Sequence, residues 1–189
     1  MSSEYQLKLP SKTIETADPP ARAVLEKAKA QVGFIPNMYG LMVNSPGLLD
    51  TYLDGYKRFR EGAGLTPPEQ EVVFLSISRY HGCDYCMAAH SMIADEMSKL
   101  APAVTDAIRD GKTIPDAKLS ALSEFTRIML DTRGQPTRAE VENFIAAGYS
   151  EGHILEVILA IAVKTISNYS NHLFHTPVDD MFAYRAWTG

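Results

Sequence analysis

Apolar positions along the chain recur three and four residues apart, and no stretch sustains the every-second-residue alternation of a half-buried strand. Leu48, Leu49, Tyr52, Leu53, Tyr56 and Phe59 line one face of a segment opening at Pro46, while Ala23, Val24, Lys27, Ala28, Gln31 and Val32 mark an earlier helical segment whose faces alternate. The starts are punctuated. Asp18 precedes Pro19 and Pro20, Ser45 precedes Pro46, and Thr66 precedes Pro67, so each proline sits where a helix has no use for the missing N–H. Glu69, three residues after Thr66, completes a capping box, and "TRAE" at 137–140 repeats it. The pattern predicts helices over 20–32, 46–61, 67–80, 84–98, 100–110, 116–133, 138–147, 151–173 and 178–186, with Gly111, Gly134 and Gly148 as C-terminal stops. The expected fold class is all-α, and short linkers without low-complexity tracts make residues 1–189 one domain.

At an offset of 85 residues, "EVVFLSISRYHGCDYCMAAH" (71–90) lies over "EVILAIAVKTISNYSNHLFH" (156–175). Glu71 falls on Glu156, Arg79 on Lys164, Cys83 on Asn168, Cys86 on Asn171 and His90 on His175. Both windows are apolar helices with a polar tail, which predicts internal duplication: a dithiol-bearing unit at about 66–100 and a degenerate unit at about 137–175 that has lost the thiols.

The charge balance changes the picture by exclusion. With 18 basic and 23 acidic residues and a net charge of −5, the chain has no basic run to track a phosphate backbone, so nucleic acid is not an expected partner. The longest apolar run, "ILEVILAIAVKTI" at 154–166, is too short to span a bilayer and carries Glu156 and Lys164, so a buried helix with a Glu156–Lys164 pair is expected rather than a membrane span. The first twenty residues have no basic segment followed by an apolar core, so a cytoplasmic, reducing location is expected. There a close cysteine pair is more often catalytic, redox-active or metal-binding than a structural staple.

Both cysteines stand in "HGCDYCMAAH", residues 81–90. At ~100° per residue, His90 lies ~20° from Cys83 and ~40° from Cys86, so all three share a helix face. Glu71, twelve residues before Cys83, is on the order of 18 Å away along a straight helix and reaches the site only if the chain turns at His81-Gly82 and a new helix starts at Cys83. That break would put both thiols in a first helical turn, where free N–H groups favour thiolate, and slightly more so at Cys83. A thiolate beside a second thiol suits attack on a peroxide followed by disulfide closure, with Glu71 and His90 moving protons. Two other readings stand beside this one. In the first, Cys83, Cys86 and His90 supply three of the four ligands zinc needs, with His81, His172 or His175 as a fourth; in the second, the thiols are inert core residues. Taken singly, Glu71 reads as an exposed first-turn glutamate, and His172 and His175 as structural.

A glutamate twelve residues before C-x-x-C-x-x-x-H, here Glu71, Cys83, Cys86 and His90, resembles the alkylhydroperoxidase D-like and carboxymuconolactone decarboxylase superfamily. The upstream "VGFIPNMYGLMVNSPGLLDTYLDGYKRF" at 32–59 is similar to the segment preceding that motif in its peroxidase-related branch, so the resemblance covers roughly 30–175. It implies an all-helical, internally duplicated fold, assembly as a homotrimer or homohexamer, and a thiol-dependent peroxidase of peroxiredoxin type that needs no cofactor or metal. By that analogy Cys86 attacks hydrogen peroxide or an organic hydroperoxide, Cys83 resolves it to a disulfide, Glu71 and His90 relay protons, and an external dithiol reductant restores the pair. The branch's further relay histidine, immediately before the second cysteine, is here Tyr85, a poor base at neutral pH. Two alternatives remain: a decarboxylase or isomerase of a small carboxylated substrate using Glu71 and His90, and a non-enzymatic zinc or disulfide-switch module.

Overall fold

The computed structural model describes residues 3–189, and among them every regular element is helical. Nine α-helices follow in order: α1 Pro19–Val32, α2 Asn37–Met42, α3 Pro46–Gly62, α4 Pro67–His81, α5 Asp84–Ile93, α6 Pro102–Asp110, α7 Ala117–Asp131, α8 Arg138–Ala146 and α9 Glu151–Phe174. A π-turn at Ala94–Ser98 extends α5, and a 3₁₀ segment at Asp180–Arg185 stands where a ninth predicted helix, 178–186, was expected. The starts are capped as the sequence demands: Asp18 accepts from the Ala21 N–H, and Thr66 with Glu69 and Thr137 with Glu140 form complete capping boxes. Ser45 makes no side-chain cap, so Pro46 alone marks that start.

In α1 the buried residues are Ala21, Leu25 and Ala28, while Val32 is exposed and Ala23 lies on the outside. Helix α2 goes unpredicted because six residues carry too little periodicity to register. Tertiary packing holds it, with Met38, Tyr39 and Met42 buried.

Helix α4 is the central element. Ten consecutive residues, Glu69 to Ser78, are buried, because α5, α6, α7 and α9 surround it. Two apolar cores flank it. One gathers Phe59, Phe74, Phe125 and Phe144, with the Phe125 and Phe144 rings stacked at 4.2 Å. The other joins α1, α2 and α3 to the start of α5 and to α9, and it contains both cysteines. Where α3 crosses α9, a Cβ on Gly55 would meet Val163 Cγ2 at 2.8 Å, so only glycine allows that approach. The close crossing carries the next residue, Tyr56, toward the middle of the fold.

The two aligned windows pack against each other as α4–α5 and α9. The first breaks at Gly82, which has φ 66°, whereas α9 runs unbroken through the aligned Ser167. No single helix among the described residues is long and apolar enough to cross a membrane.

Candidate active site

The break at Gly82 is the local event that builds the site. Left-handed backbone ends α4 there, the Gly82 and Cys83 N–H groups close back onto the Arg79 and Ser78 carbonyls, and Cys83 becomes the N-cap of α5. Helix α5 therefore folds back beside α4 and brings residues nineteen apart in sequence together: His90 Nδ1 lies 2.8 Å from Glu71 Oε2. The contact needs exactly the turn the sequence located at His81-Gly82, where a straight helix would have held Glu71 three turns away.

Glu71 is wholly buried, not the exposed first-turn residue that its position alone suggests. Burial opposes its charge, but Arg60 and then His90 hold its carboxyl below the usual range. Arg60 Nη2 reaches Glu71 Oε1 at 2.5 Å, and the same guanidinium lies over the Tyr56 and Phe74 rings and donates to Tyr56 Oη and Gln70 Oε1. Facing an ionised carboxylate, His90 Nδ1 is the donor, so the neutral ring carries its lone pair on Nε2. Burial, with Lys164 adding like charge, pushes His90 below its ordinary value and keeps it neutral, while Glu71 pulls the other way. The Phe74 ring packs on the imidazole at 4.9 Å.

The cysteines lie 3.6 Å apart and only 1% and 2% exposed, without a disulfide. They are not equivalent. The Cys83 thiol is pushed well above its ordinary range, first by the hydrogen bond it donates to Cys86 and then by burial. Burial opposes a Cys86 thiolate too, but the Cys83 S–H, Lys164 and His90 together draw Cys86 well below the ordinary thiol range. The α5 N-terminus alone would favour Cys83; the hydrogen bond from Cys83, then Lys164 and His90, reverse that order.

On α9, Asn168 and Asn171 occupy the positions the internal alignment placed over the cysteines, and Ser167 and Lys164 stand beside them. Asn171 Nδ2 lies 3.3 Å from Cys86 Sγ, 3.9 Å from Cys83 Sγ and 3.1 Å from Met38 Sδ, and Ser167 Oγ lies 3.9 Å from Cys86 Sγ. Asn168 donates to His81 Nδ1 at 3.0 Å, and His81 is pushed down to about 4 by burial, then by His172 and Lys164. Lys164 is fully buried beside Cys86 and Phe74, so the expected Glu156–Lys164 pair does not form.

Tyr85, in the position of the missing relay histidine, turns away from proton transfer. Its hydroxyl donates to Asp179 Oδ2 at 2.5 Å, its ring meets Phe182 edge-on, and Asp179 also accepts from the Asn37 N–H. It anchors the C-terminal segment. His175 caps α9 and pairs with the Ser3 carbonyl, far from a ligand role. Among the described residues no three His, Cys, Asp or Glu side chains converge as a metal site. A groove of 370 Å³, lined by Leu7, Leu41, Ile166 and Tyr169 among others, is not lined by either cysteine.

Sequence reasoning thus found Glu71, Cys83, Cys86 and His90, which the structure brings together, and missed Arg60, Lys164 and Asn171. The only advance signal for the last two was the internal alignment, which set Lys164 and Asn171 over Arg79 and Cys86.

A buried dithiol served by a Glu–His pair in an all-helical fold defines the class. The model of the carboxymuconolactone decarboxylase family matches residues 46–116, from the start of α3 through the dithiol to the end of the α6–α7 linker. No curated protein matches the chain. Among solved structures, the alkylhydroperoxidase AhpD core of an uncharacterized peroxidase-related protein from Ralstonia eutropha JMP134 superposes with a TM-score of 0.80 at 18% identity over 93% of both chains. An uncharacterized peroxidase-related protein from Silicibacter sp. TM1040 gives 0.76 at 19% identity over 96% of this chain and 95% of that one. A variant of the debrominase Bmp8 in complex with 2,3,4-tribromopyrrole gives 0.75 at 15% identity over 95% and 96%. Residues 46–116 are thus similar to the carboxymuconolactone decarboxylase family, and the chain as a whole has the all-helical fold that its motif implied.

Proposed function

We propose that the protein is a thiol-dependent peroxidase that reduces hydrogen peroxide or an organic hydroperoxide through Cys83 and Cys86. The observation that carries the reading is the asymmetry of the pair: Cys86 is drawn toward thiolate while Cys83, 3.6 Å away, keeps its proton and points it at Cys86. Neutral His90, oriented by Glu71, accepts the Cys86 proton on Nε2. The thiolate then bonds the terminal peroxide oxygen, the O–O bond breaks, and the departing oxygen takes that proton back as water or alcohol. Sulfur is oxidised by two electrons to sulfenic acid and the peroxide is reduced by two. Cys83 displaces the hydroxyl from the sulfenic acid, forming the disulfide and releasing water, and an external dithiol reduces the disulfide.

The test is peroxide consumption with dithiothreitol or dihydrolipoamide as reductant. Wild type should turn over, Cys86→Ser should not, and one equivalent of peroxide should remove both titratable thiols without making covalent dimers. Consumption by Cys86→Ser at the wild-type rate would overturn the reading.

A second reading keeps the dithiol and changes the oxidant. The tyrosines at 39, 52 and 56 pack edge-on and tilted from α2 and α3 beside Cys86, with ring centroids 5.9 and 5.8 Å apart, a wall suited to a flat halogenated aromatic such as the ligand in the Bmp8 structure. Cys86 would take the halogen from carbon, the carbon would gain a proton, and disulfide formation would release halide. Halide release from a bromopyrrole without peroxide turnover would favour it.

A further inference from the structure

We infer that Lys164 is the charge partner of the Cys86 sulfur, and that with Asn171 it makes α9 an anion cradle for the attacking atom. The inference rests on the thiol reading of the site and concerns residues outside its recognised motif. Lys164 is fully buried, and its ammonium has no hydrogen-bond partner among the described residues. A cation so placed is costly unless something compensates it. What faces it is the Phe74 ring, with Nζ 5.5 Å from the centroid, and the Cys86 thiol, which its charge draws toward thiolate. Asn171 turns its amide N–H toward the same sulfur at 3.3 Å and leaves its own Oδ1 buried and unpaired. These two loose ends, one donor and one acceptor, are what a sulfenic acid on Cys86 would need, since S–OH both accepts and donates.

Apart from His90, which is charged while it holds the Cys86 proton, the other titratable groups around the sulfur carry no competing charge. From α2 and α3, the phenols of Tyr39, Tyr52 and Tyr56 are all pushed up, chiefly by burial, and stay neutral. Tyr85 on α5 is pushed up likewise, Cys83 keeps its proton, and His90 is pushed down. At the end of α4, His81 is pushed down to about 4, and on α9 His172 is also pushed down by burial, so both are neutral near pH 7. Arg60 spends its charge on Glu71, on the far side of His90. Lys164 is left as the cation for Cys86.

The experiment reads the thiolate directly, by its absorbance near 240 nm during a pH titration of reduced Cys83→Ser protein, in which Cys86 is the only thiol. Lys164→Met in that background should move the midpoint upward by at least one pH unit, about a tenfold loss of thiolate at fixed pH, and Lys164→Arg should recover most of it. A folded Lys164→Met whose midpoint coincides with its parent overturns the inference. If that variant does not fold, the reduced wild type decides: about one thiolate per chain at pH 7 is expected, and absorbance that appears only above pH 8.5 overturns it. If thiolate is lost with Lys164 while the wild type consumes no peroxide, the pairing stands and the peroxidase reading fails.

Discussion

Glu71 stays ionised inside the protein because Arg60 and His90 take one carboxylate oxygen each. Removing one partner leaves a buried charge half compensated, so Arg60→Met should lower unfolding free energy by about 3 kcal/mol, read from urea midpoints at neutral pH. His81 makes a pH-dependent contribution of definite sign. The unfolded chain binds its proton near the ordinary value of 6.5, whereas the folded chain resists protonation down to about 4, because burial opposes the charge and His172 and Lys164 add to that. Its contribution is complete above 6.5 and is lost as pH falls through that window toward 4. Urea midpoints of wild type should fall between those pH values, and those of His81→Gln should fall less. Glu71 acts in the same direction further down: its lowered carboxyl contributes above the ordinary 4.5, and that contribution goes as pH falls through the folded value.

At the scale of elements, the turn at Gly82 decides whether there is a site. Its φ of 66° is strained for any side chain, and Gly82→Ala should cost about 1–2 kcal/mol while slowing Cys83–Cys86 disulfide formation, measured by loss of titratable thiols after peroxide addition. Most of this architecture was legible in the sequence, because helix starts are written in local chemistry: Thr66 with Glu69, Thr137 with Glu140, and prolines at the first turns of α1, α3 and α4. The exceptions lack such writing. Helix α2 is six residues held by its neighbours, and the end of α5 widens into a π-turn at Ala94–Ser98, followed by left-handed Lys99, that no side-chain pattern announces. The motif half of the site was legible because Glu71, Cys83, Cys86 and His90 sit at fixed spacing. Arg60 and Lys164 arrive from α3 and α9, and nothing in their own neighbourhoods says which charge they will meet.

At the scale of the whole molecule, α9 presents two unlike faces. Lys164, Ser167 and Asn171 face inward beside the sulfurs and Asn168 faces His81, while Leu155, at 66% exposure, Ile158, Tyr169 and Leu173 are exposed along the outside. Our proposal of a homotrimer or homohexamer would bury this apolar outer row. Light scattering on the eluting peak should give a mass three or six times 20.9 kDa, and Leu155→Asp with Ile158→Asp should reduce it while leaving the helical circular dichroism intact. The dithiol itself opens on neither face. The C-terminal segment lies against the start of α5, fastened by the Tyr85 hydroxyl to Asp179, by Phe182 packed on Tyr85, and by Arg109 holding the Arg185 and Ala186 carbonyls. A reaction at sulfurs so enclosed is a queue behind a door. Reagents of very different intrinsic reactivity, at high enough concentration, should therefore react with Cys86 at one shared limiting rate, set by how often the protein opens. Asp179→Ala, which loosens the fastening, should raise that ceiling for all of them alike.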